Sequence, residues 1–446
     1  MSWYSKVVWS EGQFLRPQHL QQHDRYVERL VEARSRHVTP YPWGFSALEI
    51  DLDLARQGRF MLRHAAGLMV DGTPFAFPAD SPAPEPADVP RDAASKIAWL
   101  VMPLAAPNVC EIGDAAAGGG TRYVLGEETL IDASAAMRAE EMIEVAHPRL
   151  SLEIGGKTVK AGHAGLPIAR IREVRDKEIV FDGAFVPPLL LCHAHPVVLG
   201  WLDRVLGWLD NKLGELARYA TDFRDGGGLQ NADYLVLQVL NRSIAVLRHL
   251  RASRFVHPER LYEELLRLAG ELATFATAER RAAAYPAYDH DDLRTTFEPL
   301  LRDLQAFLSA QFSRRPLKIA VEPVEDFPTA YTAEVPDPVL FQTATFILDV
   351  ASDRPAAELQ SKFASLFKLG PDIRMHDIVY SNVRGVPLIH QPTVPPDLRP
   401  IRDHVYFKLD KTSPLWPDFS RSASIEMHDS GNWPGLQLVL WAITGA

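Results

Sequence analysis

His19 and His23 stand four residues apart in a stretch of helical character, so their side chains share one face. That is the histidine spacing of a zinc-peptidase helix. Such a site also needs a glutamate directly after the first histidine as general base, and position 20 is Leu. The pair reads instead as two surface histidines on a polar helix. Gly155-Gly156-Lys157-Thr158 resembles the end of a phosphate-binding loop, but the loop's first glycine would be residue 151, which is Ser. No helical pattern follows to aim N–H groups at a phosphate, so a tight hairpin turn accounts for the glycines better. Asp289-His290-Asp291-Asp292 offers carboxylates and imidazole, ligands for zinc, manganese or iron. At the start of a helix the same acids cap free N–H groups and complement the dipole, which is the stronger reading. His193 and His195, just before Pro196, could pair as ligands, although a turn with solvated histidines suffices. Neither Gly-x-Ser-x-Gly nor Gly-x-Gly-x-x-Gly occurs. A triad assembled in space leaves no such trace, but no feature asks for one. The chain is expected to be no enzyme, with no catalytic residues, no cofactor and no metal.

Composition narrows the classes further. At 446 residues the chain holds two to four domains, and 47% apolar with 23% charged residues is ordinary globular composition. The net charge is −10 and the basic groupings, Arg280-Arg281 and Arg314-Arg315, are only pairs, a poor match for nucleic acid. Cys110 and Cys192 suggest no disulfide framework. The first residues lack a signal-peptide pattern. The most apolar run, Leu189 to Leu202, is broken by His193, His195 and Pro196, so no direct membrane insertion is expected. The expected location is cytoplasmic, with any membrane association made through partners.

The elements that would position these residues fall into three regions: 1–190, 191–315 and 316–446. The first is mainly strands after one early helix. Pro17 suits the first helical position, and the helix runs to about Arg36 with a thin stripe of Leu20, Val27, Leu30 and Val31. Strand candidates are Phe45 to Leu54, Arg59 to Leu62, Ile97 to Leu104, Arg122 to Ile131, Met142 to Ile154 and Ile168 to Val174, a β-sandwich or barrel pattern. Proline-rich Ala79 to Ser95 reads as an exposed loop.

The second region opens at Pro196 with Leu199, Leu202, Leu206, Leu209, Leu213, Leu216, Ala220 and Phe223, a heptad seam that Gly226-Gly227-Gly228 ends. Three more amphipathic helices follow, carrying Leu237 to Leu247, Leu261 to Phe275 and Leu293 to Phe307. Together the four predict an antiparallel bundle. Pro299 predicts a kink or a late start in the fourth. Trp201, Val205 and Trp208 make the first helix apolar on a second side, which must be buried either in its own bundle or against another subunit; a contact between subunits is the expectation. The third region mixes strands at Leu317 to Val324, Thr345 to Val350, Val405 to Leu409, Ala423 to His428 and Leu436 to Ile443 with helices at Ala356 to Leu369 and Ile373 to Ser381. That predicts a small α+β domain with one sheet. Pro316 is expected to end the helical region and begin a flexible attachment.

The opening Lys6-Val7-Val8-Trp9-Ser10-Glu11-Gly12-Gln13-Phe14-Leu15-Arg16-Pro17-Gln18-His19-Leu20 resembles the N-terminal signature of the TssK family, with Gln13 where Met is expected. Pro40-Tyr41-Pro42-Trp43-Gly44-Phe45, Phe185-Val186-Pro187-Pro188, His257-Pro258-Glu259-Arg260-Leu261-Tyr262, Tyr288-Asp289-His290-Asp291-Asp292-Leu293, Lys368-Leu369-Gly370-Pro371 and Leu440-Trp441-Ala442-Ile443 continue it in order along the chain.

The resemblance implies an α+β multidomain chain with an N-terminal β-sandwich shoulder, a helical-bundle neck and a small C-terminal α+β head. It implies a homotrimer of the type VI secretion baseplate, a structural adaptor. The shoulder, similar to that of siphophage receptor-binding proteins, would dock on TssF and TssG. The head would meet the cytoplasmic parts of TssL and TssM, holding the trimer at the inner face of the inner membrane. Trp9, Phe14 and Leu15 precede a thinly apolar helix, so this segment must dock, either on the chain's own shoulder or on a baseplate partner, for which these three are the expected contact. The rivals are a phage-tail receptor-binding protein and a metal-dependent hydrolase built on Asp289–Asp292 or the paired histidines.

Overall fold

Pro17 fixes the first helical φ of α1 (Pro17–Ser35), whose sequence is polar apart from its thin stripe. None of its residues is buried. The computed structural model describes residues 3–107, 109–114, 120–134, 138–221, 231–310, 316–325, 327–381, 383–395, 398, 400–422 and 424–444.

After α1, β1 (Gly44–Ile50), β2 (Leu62–Leu68) and β3 (Pro74–Phe77) form an antiparallel meander. Gly44 is required where it stands: its φ is +116°, and a Cβ there would lie 2.6 Å from the Pro188 carbonyl carbon. That close approach lets Phe45 N–H donate to Pro188 O at 3.0 Å and Leu190 N–H to Phe45 O at 2.9 Å. The remaining long strands of this region are β4 (Ile97–Pro103), β5 (Tyr123–Ile131), β6 (Glu140–Pro148), β7 (Ser151–Gly155), β8 (His163–Arg175) and β9 (Glu178–Phe181). β4 is an unbroken apolar run because it is central, flanked by β7 and β8 in the order β7-β4-β8-β9. β5 and β6 pair with each other over nine positions. The single strand expected over Met142 to Ile154 is therefore two strands in different sheets, parted at Arg149-Leu150 after Pro148 ends the first ladder.

Four helices follow: α2 (Pro196–Thr221), α3 (Asn231–Ala252), α4 (Pro258–Ala276) and α5 (Leu293–Ser309). Phe223, Gly226-Gly227-Gly228 and Arg314-Arg315 lie outside the described residues. α5 starts at Leu293, so Pro299 sits inside it and does not delay it. The chain divides into two compact units, and the division runs through the helices. One unit is Met1–Trp208, Arg242–Glu271 and Arg281–Phe307; the other is Leu209–Asn241, Leu272–Arg280 and Leu308–Ala446.

In the second unit, β10 (Pro316–Ala320), β11 (Glu322–Val324), β12 (Phe327–Glu334), β13 (Ala344–Ala351), β14 (Phe367–Pro371), β15 (Leu388–His390), β16 (Val405–Leu409), β17 (Ser424–Asp429) and β18 (Gln437–Thr444) build a main core and a smaller cluster of Ile347, Leu398, Tyr406, Trp441 and Ile443. They make two sheets, β10-β18-β13-β16-β15 and β11-β12-β17-β14, where the sequence reading expected one. The difference arises at Phe367–Pro371. Helical turns beginning at Ala356 stop at Leu366, and the chain then extends to pair with β17. Phe367 and Leu369 point into the core while Phe363 stacks on Phe367 at 4.5 Å between ring centroids, so burial with period two overrides the helical pattern. α6 (Asp372–Tyr380) follows directly.

Candidate interaction surfaces

The residues with chemical potential take up structural duties. His19 Nδ1 accepts the Arg16 N–H at 3.1 Å, a bond across the start of α1. His19 and His23 both lie against the ring of Trp9, at 6.4 and 6.0 Å. Gly155 ends β7, and the chain from there to β8 crosses the end of β4, because β4 lies between the two. The expected hairpin turn is thus a longer connection, and neither Gly155 nor Gly156 takes a left-handed conformation. Trp99 Nε1–H holds it by donating to Gly156 O at 3.0 Å.

Asp292 caps α5. Its carboxylate accepts the Thr295 N–H at 3.0 Å and the Thr295 hydroxyl at 2.8 Å. Asp289 accepts the Asp291 N–H at 3.0 Å. His290, between them, is 2% exposed. Its Nε2 lies 2.8 Å from Trp43 O, which can only accept, so Nε2 carries the proton. Nδ1 then accepts the Tyr288 hydroxyl at 2.9 Å. The ring stacks on His257 at 5.2 Å and on Tyr41 at 5.4 Å, and Trp43 meets it edge-on at 5.0 Å. Burial holds the His290 pKa below the usual histidine value. His257 is pushed down to about 4 by burial first and by His290 second. The cluster joins three separate segments by neutral imidazoles. His195 was expected to be solvated; it is partly buried, which pushes it down to about 4. Its Nδ1 faces the Val197 N–H at 3.4 Å. Burial pushes the Cys192 thiol up to about 12, the opposite of an activated nucleophile. Among the described residues no three His, Cys, Asp or Glu side chains gather as a metal site.

The predicted contact residues divide by exposure. Phe14 is 82% exposed, Leu15 59% and Trp9 49%. The α1 stripe continues this surface, with Leu20, Val27, Leu30 and Val31 all exposed. α1 is held from its other side by the residues that precede it. Gln22 Nε2 donates to Trp3 O at 2.9 Å and Ser5 O at 2.8 Å, and Arg25 lies over the Trp3 ring.

On α2 the structure separates the three residues grouped as an excess face. Trp201 is 7% exposed and stacks on Phe297 of α5 at 4.9 Å; Val205 is fully buried. Of the three only Trp208 is partly rather than fully buried. Both faces of the helix are used, but the one its own chain leaves open is different. Leu199, Leu206 and Leu213 are only partly buried, and the glycines that follow them, Gly200, Gly207 and Gly214, have open space where a Cβ would stand. The signal was in the sequence: Val198-Leu199-Gly200-Trp201-Leu202-Asp203 returns seven residues later as Val205-Leu206-Gly207-Trp208-Leu209-Asp210. Spacing by seven keeps these positions on one line of the helix over several turns.

Over residues 19–443 the chain matches the bacterial type VI secretion family of EvfL, ImpJ and VasE. It is 36% identical over 451 positions to the type VI secretion system baseplate component TssK1 of Pseudomonas aeruginosa, with all of both chains covered. A crystal structure of TssK shares 29% identity and a TM-score of 0.67, covering 99% of this chain and 100% of that one. A chain of the TssK–TssF–TssG baseplate subcomplex shares 26% identity and a TM-score of 0.60, covering 69% of this chain and 99% of that one.

Proposed function

The chain belongs to the TssK family of type VI secretion baseplate components, and from that premise we propose that it is a non-enzymatic adaptor working as a homotrimer. Its plan is a β-sandwich shoulder over 1–190, a four-helix neck over 191–315 and an α+β head over 316–446. The shoulder binds TssF and TssG, the proteins found with TssK in the related subcomplex. The head binds the cytoplasmic parts of TssL and TssM, which keeps the protein in the cytoplasm against the inner membrane. No described helix is long and apolar enough to cross a membrane.

One observation carries this reading. Residues 8–31 present Trp9, Phe14, Leu15 and the α1 stripe to solvent, although a chain of this size has ample core to bury them. An adaptor works through such surfaces, where apolar anchors within a polar rim supply most of the binding energy. Trp9, Phe14 and Leu15 are the anchors for TssF–TssG. The subunit contact lies on α2, along Leu199, Leu206 and Leu213 with Trp208 beside them. Trp201 and Val205 support it from inside the chain. In the second unit Ile373 and Tyr380, seven apart on α6 and exposed, suit the membrane-complex partners.

The test is a capture of TssF–TssG on the full chain and on a chain lacking residues 1–15, each with its mass measured by light scattering. The intact chain is expected at three times the 49.8 kDa of one copy, and to retain TssF–TssG. The shortened chain is expected to keep its mass and lose the partners. Binding undiminished by the deletion would sink the assignment of Trp9, Phe14 and Leu15, and a monomeric intact chain would sink the trimer.

A further inference from the structure

β5 and β6 form an antiparallel ladder from Tyr123↔Pro148 to Ile131↔Glu140 that stays largely open to solvent on both faces. Its one further strand, Ile112–Gly113, pairs only with Tyr123 and Val124, so most of its length is a two-stranded ladder, which is marginal unless something covers it. Its pairing puts Glu127 directly opposite Glu144, a like-charged pair that opposes the ladder. Period-two alternation places Leu125, Ile131 and Met142 on the same face as that pair, all exposed. Glu127, Glu140, Glu141 and Glu144 make no salt bridge among the described residues. The one contact of this kind in the ladder is Glu128 with His147 at 3.7 Å. This face therefore presents apolar side chains around unneutralised carboxylates.

The same compact unit carries a surface of the opposite character. Between α2 and α5 lies a groove of about 270 Å³ with Trp201, Trp208 and Leu301 on its walls and Arg204, Arg294 and Arg302 among its lining. Among the described residues the one hydrogen bond of the Arg204 guanidinium is to Gly200 O at 3.4 Å. The one ion pair of Arg302 among them is with its neighbour Asp303, at 3.7 Å. Glu298, beside Arg294, is the only acid of the lining. Two guanidinium groups beside tryptophan and leucine thus have, among the described residues, no carboxylate from another element within ion-pair distance. A planar guanidinium is the group best matched to a pair of carboxylates.

We propose that the β5–β6 hairpin of one copy seats in the Trp208–Arg204–Arg302 groove of a second copy. Guanidinium groups neutralise the Glu127–Glu144 pair, and Met142 and Ile131 cover the tryptophans. The occupant is a second copy because charge and apolar character are complementary between two distinct patches of this one chain. Distinct patches give a head-to-tail contact, which closes into a ring when the rotation permits. This rests on the trimer reading above and assigns it a contact beyond the α2 stripe.

The experiment uses the full chain, with mass followed by light scattering across a dilution series. E127R/E144R and, separately, R204E/R302E are expected to weaken self-association roughly 100-fold or more, since like charges then meet at the contact. The four substitutions combined restore the pairing with signs exchanged and are expected to regain most of the association. These positions are exposed or partly exposed, so circular dichroism should show each variant folded. If the unaltered chain is monomeric, the trimer reading fails. If the unaltered chain is trimeric and E127R/E144R is equally so on dilution, the hairpin assignment fails while the trimer stands. If the combined variant stays dissociated, the groove is not the hairpin's seat. A trimeric E127R/E144R that loses TssF–TssG would place the hairpin on the baseplate side and likewise overturn the proposal.

Discussion

Replacing His290 by Phe tests whether the histidine cluster is a structural joint. The substitution keeps an aromatic ring in the stack with His257 and Tyr41, and keeps the apolar area buried. It removes both nitrogen atoms. Trp43 O then loses the donor now 2.8 Å away, and the Tyr288 hydroxyl loses its acceptor at 2.9 Å. Leaving a buried polar group unpaired costs about 1–3 kcal/mol. Two such groups, with some relief by rotation of the hydroxyl, give about 2–4 kcal/mol of local destabilisation. A chain of two compact units need not unfold in one step, so the readout should be local. Hydrogen exchange by mass spectrometry would follow peptides spanning 41–45 and 288–293, with His290→Gln as the variant that keeps a donor.

The pH dependence sharpens this test. Burial lowers the folded-state pKa of His290, so below the unfolded value of 6.5 the unfolded chain takes up a proton that the folded chain refuses. Stability at this joint therefore rises with pH through the window below 6.5 and is lost as pH falls. His290→Phe removes that slope. Protection in both peptides unchanged within about 1 kcal/mol would show that the bonds do not hold the segments together.

Three further outcomes follow from the same packing. Phe297→Ala empties a fully buried site that Trp201 and Tyr262 contact at 4.9 and 5.2 Å, and should cost about 3–5 kcal/mol in denaturant titration. Gly44→Ala forces a left-handed φ of +116° on alanine and drives a Cβ against the Pro188 carbonyl, so a loss of at least about 2 kcal/mol is expected, read as a lowered thermal midpoint. His195 and His257 both sit at about 4 in the folded chain against 6.5 unfolded. After discounting for their partial contact with solvent, each should withdraw about 2 kcal/mol of stability between pH 6.5 and pH 4. Unfolding midpoints measured at pH 7 and pH 4.5 should converge in the His195→Gln/His257→Gln double variant.

Much of this architecture was legible because strong periodicity leaves few choices. Pro17 and Pro196 mark helix starts where the helices begin, and Val405 to Leu409 is the strand its alternation predicts. The failures have definite causes. Heptad spacing on α2 identifies apolar faces but not which face the chain's own helices cover, so Trp201 and Val205 could not be told from Leu199 and Leu206. Phe327–Glu334 has a proline at its second position and small residues after it, which gives a weak strand signal, yet it pairs with β17 and completes a second sheet. His195 sits in a polar-looking turn, and only tertiary packing withdraws part of it from water.

The histidines are the more instructive case, since residue type alone suggested metal or acid–base chemistry for them. Three of the segments that carry the family resemblance, Pro40–Gly44, His257–Tyr262 and Tyr288–Leu293, meet at His290. A catalytic or metal-binding imidazole must offer a nitrogen to something outside the fold. His290 offers one to Trp43 O and the other to Tyr288, and a depressed pKa keeps it neutral at physiological pH. The same segments supply the Asp292 cap of α5 and the Gly44 crossing at Pro188. For the adaptor role proposed above, this use of polar residues is the useful one. A load applied at an exposed partner surface is transmitted only if the strand-rich part and the helices behind it move together. A joint of stacked rings with satisfied bonds between distant segments gives that coupling without any group that must change state.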